Sequence, residues 1–173
     1  MKFTLSKSLE ILERTPKIIS TMLSGLSEEW ITGNEGDNTW NAKEVVAHLI
    51  VCEKTNWLVR AKIILSNTAN KNLELIEMTS HFELAKNNSL ETLLKEFKMQ
   101  REQSVIALKN FNLQNEDYTK SAFHPEIFEV NLQQLIATWV THDLSHLTQI
   151  SRIMAKQYKD EVGSFEAYLK ILK

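Results

Sequence analysis

Glycine and proline are scarce in this 173-residue chain, at four and two residues. Such sparse punctuation argues for long helices joined by few turns. Cysteine is scarcer still. The single Cys52 rules out an internal disulfide framework and fits a reducing compartment. Neither sign of charge dominates: 20 Lys and Arg stand against 22 Asp and Glu, for a net charge of −2. No global attraction to nucleic acid or to an anionic membrane follows from that balance. The chain lacks any run of the ~18–20 apolar residues a membrane span requires. Its first residues, MKFTLSKSLEILERT, read as an amphipathic helix without the continuous apolar stretch of a signal peptide. The expectation is one cytoplasmic domain spanning residues 1–173, with neither a nucleic acid nor a membrane as partner, long enough to bury a real core.

What is present is helical periodicity. A first stretch runs from about Leu5 to Leu26, with Thr15-Pro16 marking an interruption and Thr15 a candidate cap. Asn34 to Asn38 reads as a loop. Asn41 and Glu44 form an Asx variant of the capping box and open a second helix, predicted to reach about Ser66. Ser66 to Asn72 is polar and predicts a turn. Leu73 to Lys86 is ambiguous between a short helix and an extended connection. Ser89 caps a third helix reaching about Phe111, and Asn131 caps a fourth running to Lys156. A short helix over Ser164–Ile171 follows Gly163, and no segment reads convincingly as a strand. Four principal helices predict an all-α, four-helix bundle with a short extra C-terminal helix.

Histidine placement carries the chemistry. His142 and His146 stand four residues apart, so on a helix their rings share one face and can reach one ion. They fall among the apolar positions Leu135, Trp139, Leu147 and Ile150, which are the inward ones. His48 lies in the nearly all-apolar run Val45 to Cys52 of the second helix, where burial demands a partner for each ring nitrogen. A metal needs at least three protein ligands, and this trio across a bundle supplies them. His81 and His124 sit in connecting segments among polar neighbours and read as surface residues.

Thr39-Trp40-Asn41-Ala42-Lys43-Glu44-Val45-Val46-Ala47-His48-Leu49, then Glu53 and Trp57, then Trp139 through Ile150 with its H-D-x-x-H-x-x-Q-I pattern, resemble the DinB/YfiT-like superfamily. The likeness continues through Arg101 to Tyr158, Gly163 and Tyr168, covering nearly the whole chain. It implies a four-helix bundle whose divalent metal, typically zinc or nickel, is held by three histidines, here His48, His142 and His146. It further implies a metal-dependent enzyme, a thiol S-transferase using bacillithiol or mycothiol, an isomerase or a hydrolase. The partner would be a small-molecule substrate, a low-molecular-weight thiol among the candidates. The other reading is a non-catalytic, metal-stabilised helical module acting through its surface or as a homodimer.

Two other metal motifs fit poorly. His142-Asp143-x-x-His146 has Asp where the H-E-x-x-H zinc proteases have Glu, and no third ligand follows at their spacing. A di-iron bundle needs two E-x-x-H motifs, and none is complete here. Around the trio several readings stay open. Cys52, four residues after His48, is either a fourth ligand or a small buried apolar residue. Glu44 either orients a ligand or serves the helix cap. Asp143 can pair with a basic group or buttress a ligand ring. Glu53, Trp57, Arg60 and Arg101 either line a pocket mouth or form a partly buried ion-pair network. Arg101 and Glu53 are the candidate catalytic pair, with part of the guanidinium left free for an anionic substrate group. Trp40, Trp139, Phe97 and Phe111 read as core.

Overall fold

The computed structural model describes residues 1–173. Helix α1 (Leu5–Leu12) and α2 (Thr15–Leu23) form the first column, and α3 (Glu28–Thr32) is a single short turn after them. Helices α4 (Ala42–Thr55) and α5 (Trp57–Leu65) form the second column, and α6 (Ser80–Asn87) packs beside α4. Helix α7 (Leu90–Asn110) and α8 (Leu132–Lys156) complete the bundle. A hairpin of β1 (Ser121–His124) and β2 (Phe128–Asn131) joins the last two, and 3-10 turns over Gly163–Tyr168 and Lys170–Leu172 end the chain. No helix is long and apolar enough to cross a membrane.

Local chemistry explains where the helices begin. Asn41 Oδ1 accepts from Glu44 N at 2.9 Å while Glu44 Oε2 accepts from Asn41 N at 2.9 Å, a closed capping box. Asn131 and Gln134 repeat the arrangement at the start of α8, again with 2.9 Å bonds. Ser89 Oγ accepts from Thr92 N at 3.2 Å to open α7.

Several expectations are corrected. Thr15 is the first residue inside α2 rather than its cap, and its hydroxyl donates back to the Ile11 carbonyl. The second helix is broken at Asn56, whose backbone departs from ideal helix at φ −109° and ψ −77°. The C-terminal helix is 3-10 throughout. The hairpin contradicts the absence of strands. Its strands have four residues each and flank a Pro125 turn, too short for alternation to be read. Phe123 also exchanges backbone bonds of 2.8 Å with Lys71 and Leu73, which ties the 71–78 connection across the bundle.

Two apolar clusters fill the interior. One gathers Ile19, Leu23, Val46, Leu93, Phe97 and Ile150; the other gathers Leu12, Trp57, Ile64, Leu108, Ile136 and Trp139. On α7 and α8 the switch between clusters falls where polar residues interrupt the apolar pattern, between Phe97 and Val105 and between Trp139 and Ile150, and on α4 it falls between Ile50 and Cys52, just before Glu53. That seam holds Glu53, Arg101 and the Asp143 region, and it positions everything described next.

Candidate metal centre

Three imidazoles converge in the seam. His48 Nε2 lies 3.2 Å from His142 Nε2, and His146 Nε2 lies 3.1 Å from the same atom. One ligand atom from each ring falls within 4.8 Å of the others. His142 and His146 come from consecutive turns of α8, and His48 comes from the apolar face of α4. Around a tetrahedral zinc with Zn–N near 2.0–2.1 Å, ligand nitrogens stand about 3.3 Å apart, so the spacing suits a common ion.

Tautomers support the same geometry. His146 Nδ1 is 2.7 Å from Gln149 Oε1, so that nitrogen donates and leaves Nε2 with a lone pair facing the centre. His142 Nδ1 is buried without a partner. Burial pushes His48 down to about 3, with the neighbouring His146 and His81 adding to the effect. Burial likewise takes His142 down to about 3 and lowers His146. Neutral imidazoles with converging lone pairs are the state a cation requires.

The walls are aromatic. Trp40 lies parallel to His146, with centroids 6.3 Å apart and planes 9° apart, and it packs 4.9 Å from His48. Trp57 presents its ring to His142 at 5.1 Å and 73°. Cys52 Sγ sits 3.4 Å from His48 Nε2 and 4.0 Å from His142 Nε2, at the edge of the cluster. Burial, then the charges of Glu53 and Asp143, push its thiol up to about 12. Glu44 is engaged in the Asn41 cap.

The structure does not bring Arg101 and Glu53 to a substrate pocket. Arg101 is 1 % exposed, and all five of its N–H groups are committed. Nε and Nη2 donate to Glu53 Oε1 at 2.9 and 2.7 Å, Nη1 and Nη2 donate to the two Asp143 oxygens at 2.5 and 2.9 Å, and Nη1 also donates to the Leu12 carbonyl at 2.9 Å. Trp139 Nε1 adds a bond of 3.1 Å to Glu53 Oε1. Burial opposes the Arg101 charge, but Asp143 and Glu53 outweigh it and hold the guanidinium above its ordinary value. Burial raises Glu53, against the pull of Arg101. The expected free part of the fork is absent, because α8 supplies a second carboxylate that the α4–α7 pairing alone does not reveal.

His81 and His124 were expected at the surface, and both are buried. The His81 ring packs 4.3 Å from Trp40. His124 Nδ1 accepts from Glu126 N at 3.2 Å, and its side chain lines the cavity beside the trio. Polar sequence neighbours hid this, since α6 and the hairpin fold back over α4 and α5. Asn56, Gln134 and Thr138 also line that cavity and went unread. For Asn56 a signal existed: a carboxamide one turn after Cys52 and beside Trp57, on the face of the helix that carries His48. Trp139 and Phe97 are core as expected, whereas Trp40 and Phe111 are half-buried.

The cavity holds about 440 Å³, and all three histidines open onto it. A larger depression of about 850 Å³ between α2 and α7 is a groove of mixed charge with no histidine in its wall, so chemistry assigns the smaller one to the site.

Comparison with known proteins gives a consistent picture. A sequence model described as the DinB superfamily matches residues 11–150. A solved structure of YfiT from Bacillus subtilis, described as a probable metal-dependent hydrolase with an unusual four-helix bundle topology, superposes with a TM-score of 0.71. The two chains are 14% identical, and the match covers 94% of this chain and 91% of that one. No curated protein matches the sequence.

Proposed function

The chain belongs to the DinB superfamily, and from that premise we propose that it is a divalent-metal-dependent enzyme acting on a small molecule. Its ligands are His48, His142 and His146, and its ion is zinc or nickel. One observation carries the reading: three Nε2 atoms, two of the spacings 3.1 and 3.2 Å, meet at the wall of a cavity large enough for a substrate. A divalent ion bound there polarises substrate oxygens and lowers the pKa of a water or thiol toward neutrality.

The chain's own residues set the conditions for that chemistry. Three neutral imidazoles would leave the charge of a bound ion uncompensated, and all three open onto the cavity that would admit a substrate. Trp40 and Trp57 keep water from two sides of the cluster. Gln149 holds the His146 ring in its ligating tautomer. Hydrolysis is the reaction class that the description of YfiT supports, and transfer of a low-molecular-weight thiol is the alternative nucleophile chemistry. The competing non-catalytic reading rests on Cys52, whose sulfur would close the site as a fourth ligand.

Elemental analysis of the purified protein, followed by ester, amide and thiol-transfer screens on the zinc- and nickel-loaded forms, tests this reading. One equivalent of metal with turnover that His142→Ala abolishes is the expected result. Metal binding that survives His142→Ala overturns the ligand set. A cobalt-substituted form whose spectrum shows thiolate ligation, with no turnover, establishes the structural role instead.

A further inference from the structure

The cavity beside the histidines has an unusual charge distribution. Its wall is mainly apolar, with Leu73, Ile76, Met78, Ile127, Val130 and Leu135 contributing. It contains no Asp, Glu or Lys, and Arg60 is its one permanently charged side chain. Elsewhere in the chain, Arg101 and Arg152 are paired with carboxylates, and Arg14 is exposed to solvent. Arg60 is half-buried with no carboxylate partner. Its one protein bond runs from Nη2 to the Glu74 carbonyl at 2.6 Å. Arg60 lines the cavity with the rest of its guanidinium donors unmatched by any group of the protein.

Two further polar groups in the same wall lack partners. Asn56 and Trp57, 2 % and 3 % exposed, leave Asn56 Oδ1 and Trp57 Nε1 buried without a hydrogen bond. Each such group is costly to leave unmet. Both sit at the break between α4 and α5, one turn before Arg60. The break therefore gathers a cation, an amide and an indole donor on one stretch of cavity wall.

Arg60 and the three histidines line the same cavity, with the break at Asn56 between them along the chain. Resting on the metal-site reading above, we propose that the cavity selects a small molecule with an apolar body and a carboxylate head, the head held by Arg60 and the reacting end at the three-histidine face. Whichever nucleophile is activated, a strongly hydrophilic body would lose its water against walls that return few hydrogen bonds. The carboxylate gains a charge-assisted pair where no carboxylate of the protein competes for Arg60.

Binding of octanoate, 1-octanol and octylamine to the zinc-loaded protein, followed by tryptophan fluorescence and calorimetry, tests the proposal. Octanoate binds at least about ten-fold more tightly than octanol, as one charge-assisted contact provides, and octylamine binds most weakly. Arg60→Gln removes the octanoate preference, leaves octanol within about two-fold and leaves zinc content unchanged. Equal binding of the three probes by the unsubstituted protein overturns the proposal even if Arg60→Gln fails to fold. A preference that survives Arg60→Gln also overturns it, since the anion would then be bound elsewhere, at the metal for instance. Repeating the titration after chelation separates the two readings: Arg60-dependent octanoate binding by a protein with no affinity for zinc sinks the metal site and keeps this one. Stoichiometric zinc without the preference does the reverse.

Discussion

His142 and Asp143 are neighbours in sequence, yet they belong to polar clusters of opposite character. Asp143 turns into the bundle, where its two oxygens and Glu53 Oε1 surround Arg101, every guanidinium donor is used, and the Phe97 and Trp139 rings cover the ion at 5.1 and 5.3 Å. His142 turns toward the cavity, where its Nε2 meets the Nε2 atoms of His48 and His146 and its Nδ1 has no partner. The first cluster pairs every donor of its arginine with an oxygen of the protein and so holds structure, although Glu53 Oε2 stays without a partner. The second brings three imidazole nitrogens together, the arrangement proposed above to hold a divalent ion. Because α8 carries both, the ion cluster fixes the helix's rotation, and that rotation aims His142 and His146 at His48. Buried charge here serves position rather than catalysis.

Removing the arginine breaks the comparison most severely. Arg101→Met leaves two buried carboxylates facing each other and costs about 3–5 kcal/mol in urea unfolding. Replacing all three members together, as Glu53→Met, Arg101→Met and Asp143→Leu, recovers most of that loss, because no uncompensated charge remains. A single variant losing under about 1 kcal/mol would show that the cluster does not hold the fold.

The histidine side is next in size. His142→Ala reduces bound zinc from one equivalent to near none and abolishes the zinc-dependent rise in melting temperature. At a free-zinc concentration a hundred times its Kd, that rise corresponds to about 2.7 kcal/mol. Equal melting of the parent protein with and without zinc removes the stabilisation argument, though not the ligand set.

Acid separates the clusters in the metal-free protein. Unfolded imidazoles take protons as pH falls through 6.5, whereas folded His48 and His142 resist to about 3. The unfolded state therefore binds more protons across that window, and stability drops from pH 6.5 toward 3. His48→Gln makes the drop shallower, as urea midpoints at stepped pH will show. An unchanged slope in that variant means His48 titrates normally.

The smallest effect should come from a site outside both clusters. Asn41→Ala opens the capping box of α4 and costs about 1 kcal/mol while zinc stoichiometry stays the same. A loss of zinc in this variant would mean that the start of α4 positions His48, against the seam account.

Sequence by itself determined what depends on near neighbours. Helix starts at Asn41, Ser89 and Asn131 were legible because caps are local hydrogen bonds, and the inward face of α8 was legible because its period is intrinsic to the helix. The pairing of His142 with His146 followed from the same period, and adding His48 needed only an apolar surrounding on a second long helix. Tertiary structure alone decided the rest. Asp143 rather than a substrate took the remaining donors of Arg101, because three helices and the end of α1 meet at one point that no pairwise spacing encodes. His81 and His124 became buried because α6 and an unread hairpin close over α4 and α5. Asn56, a single carboxamide before Trp57, became a break whose unpaired groups line a cavity, and a cavity exists only once distant segments enclose it.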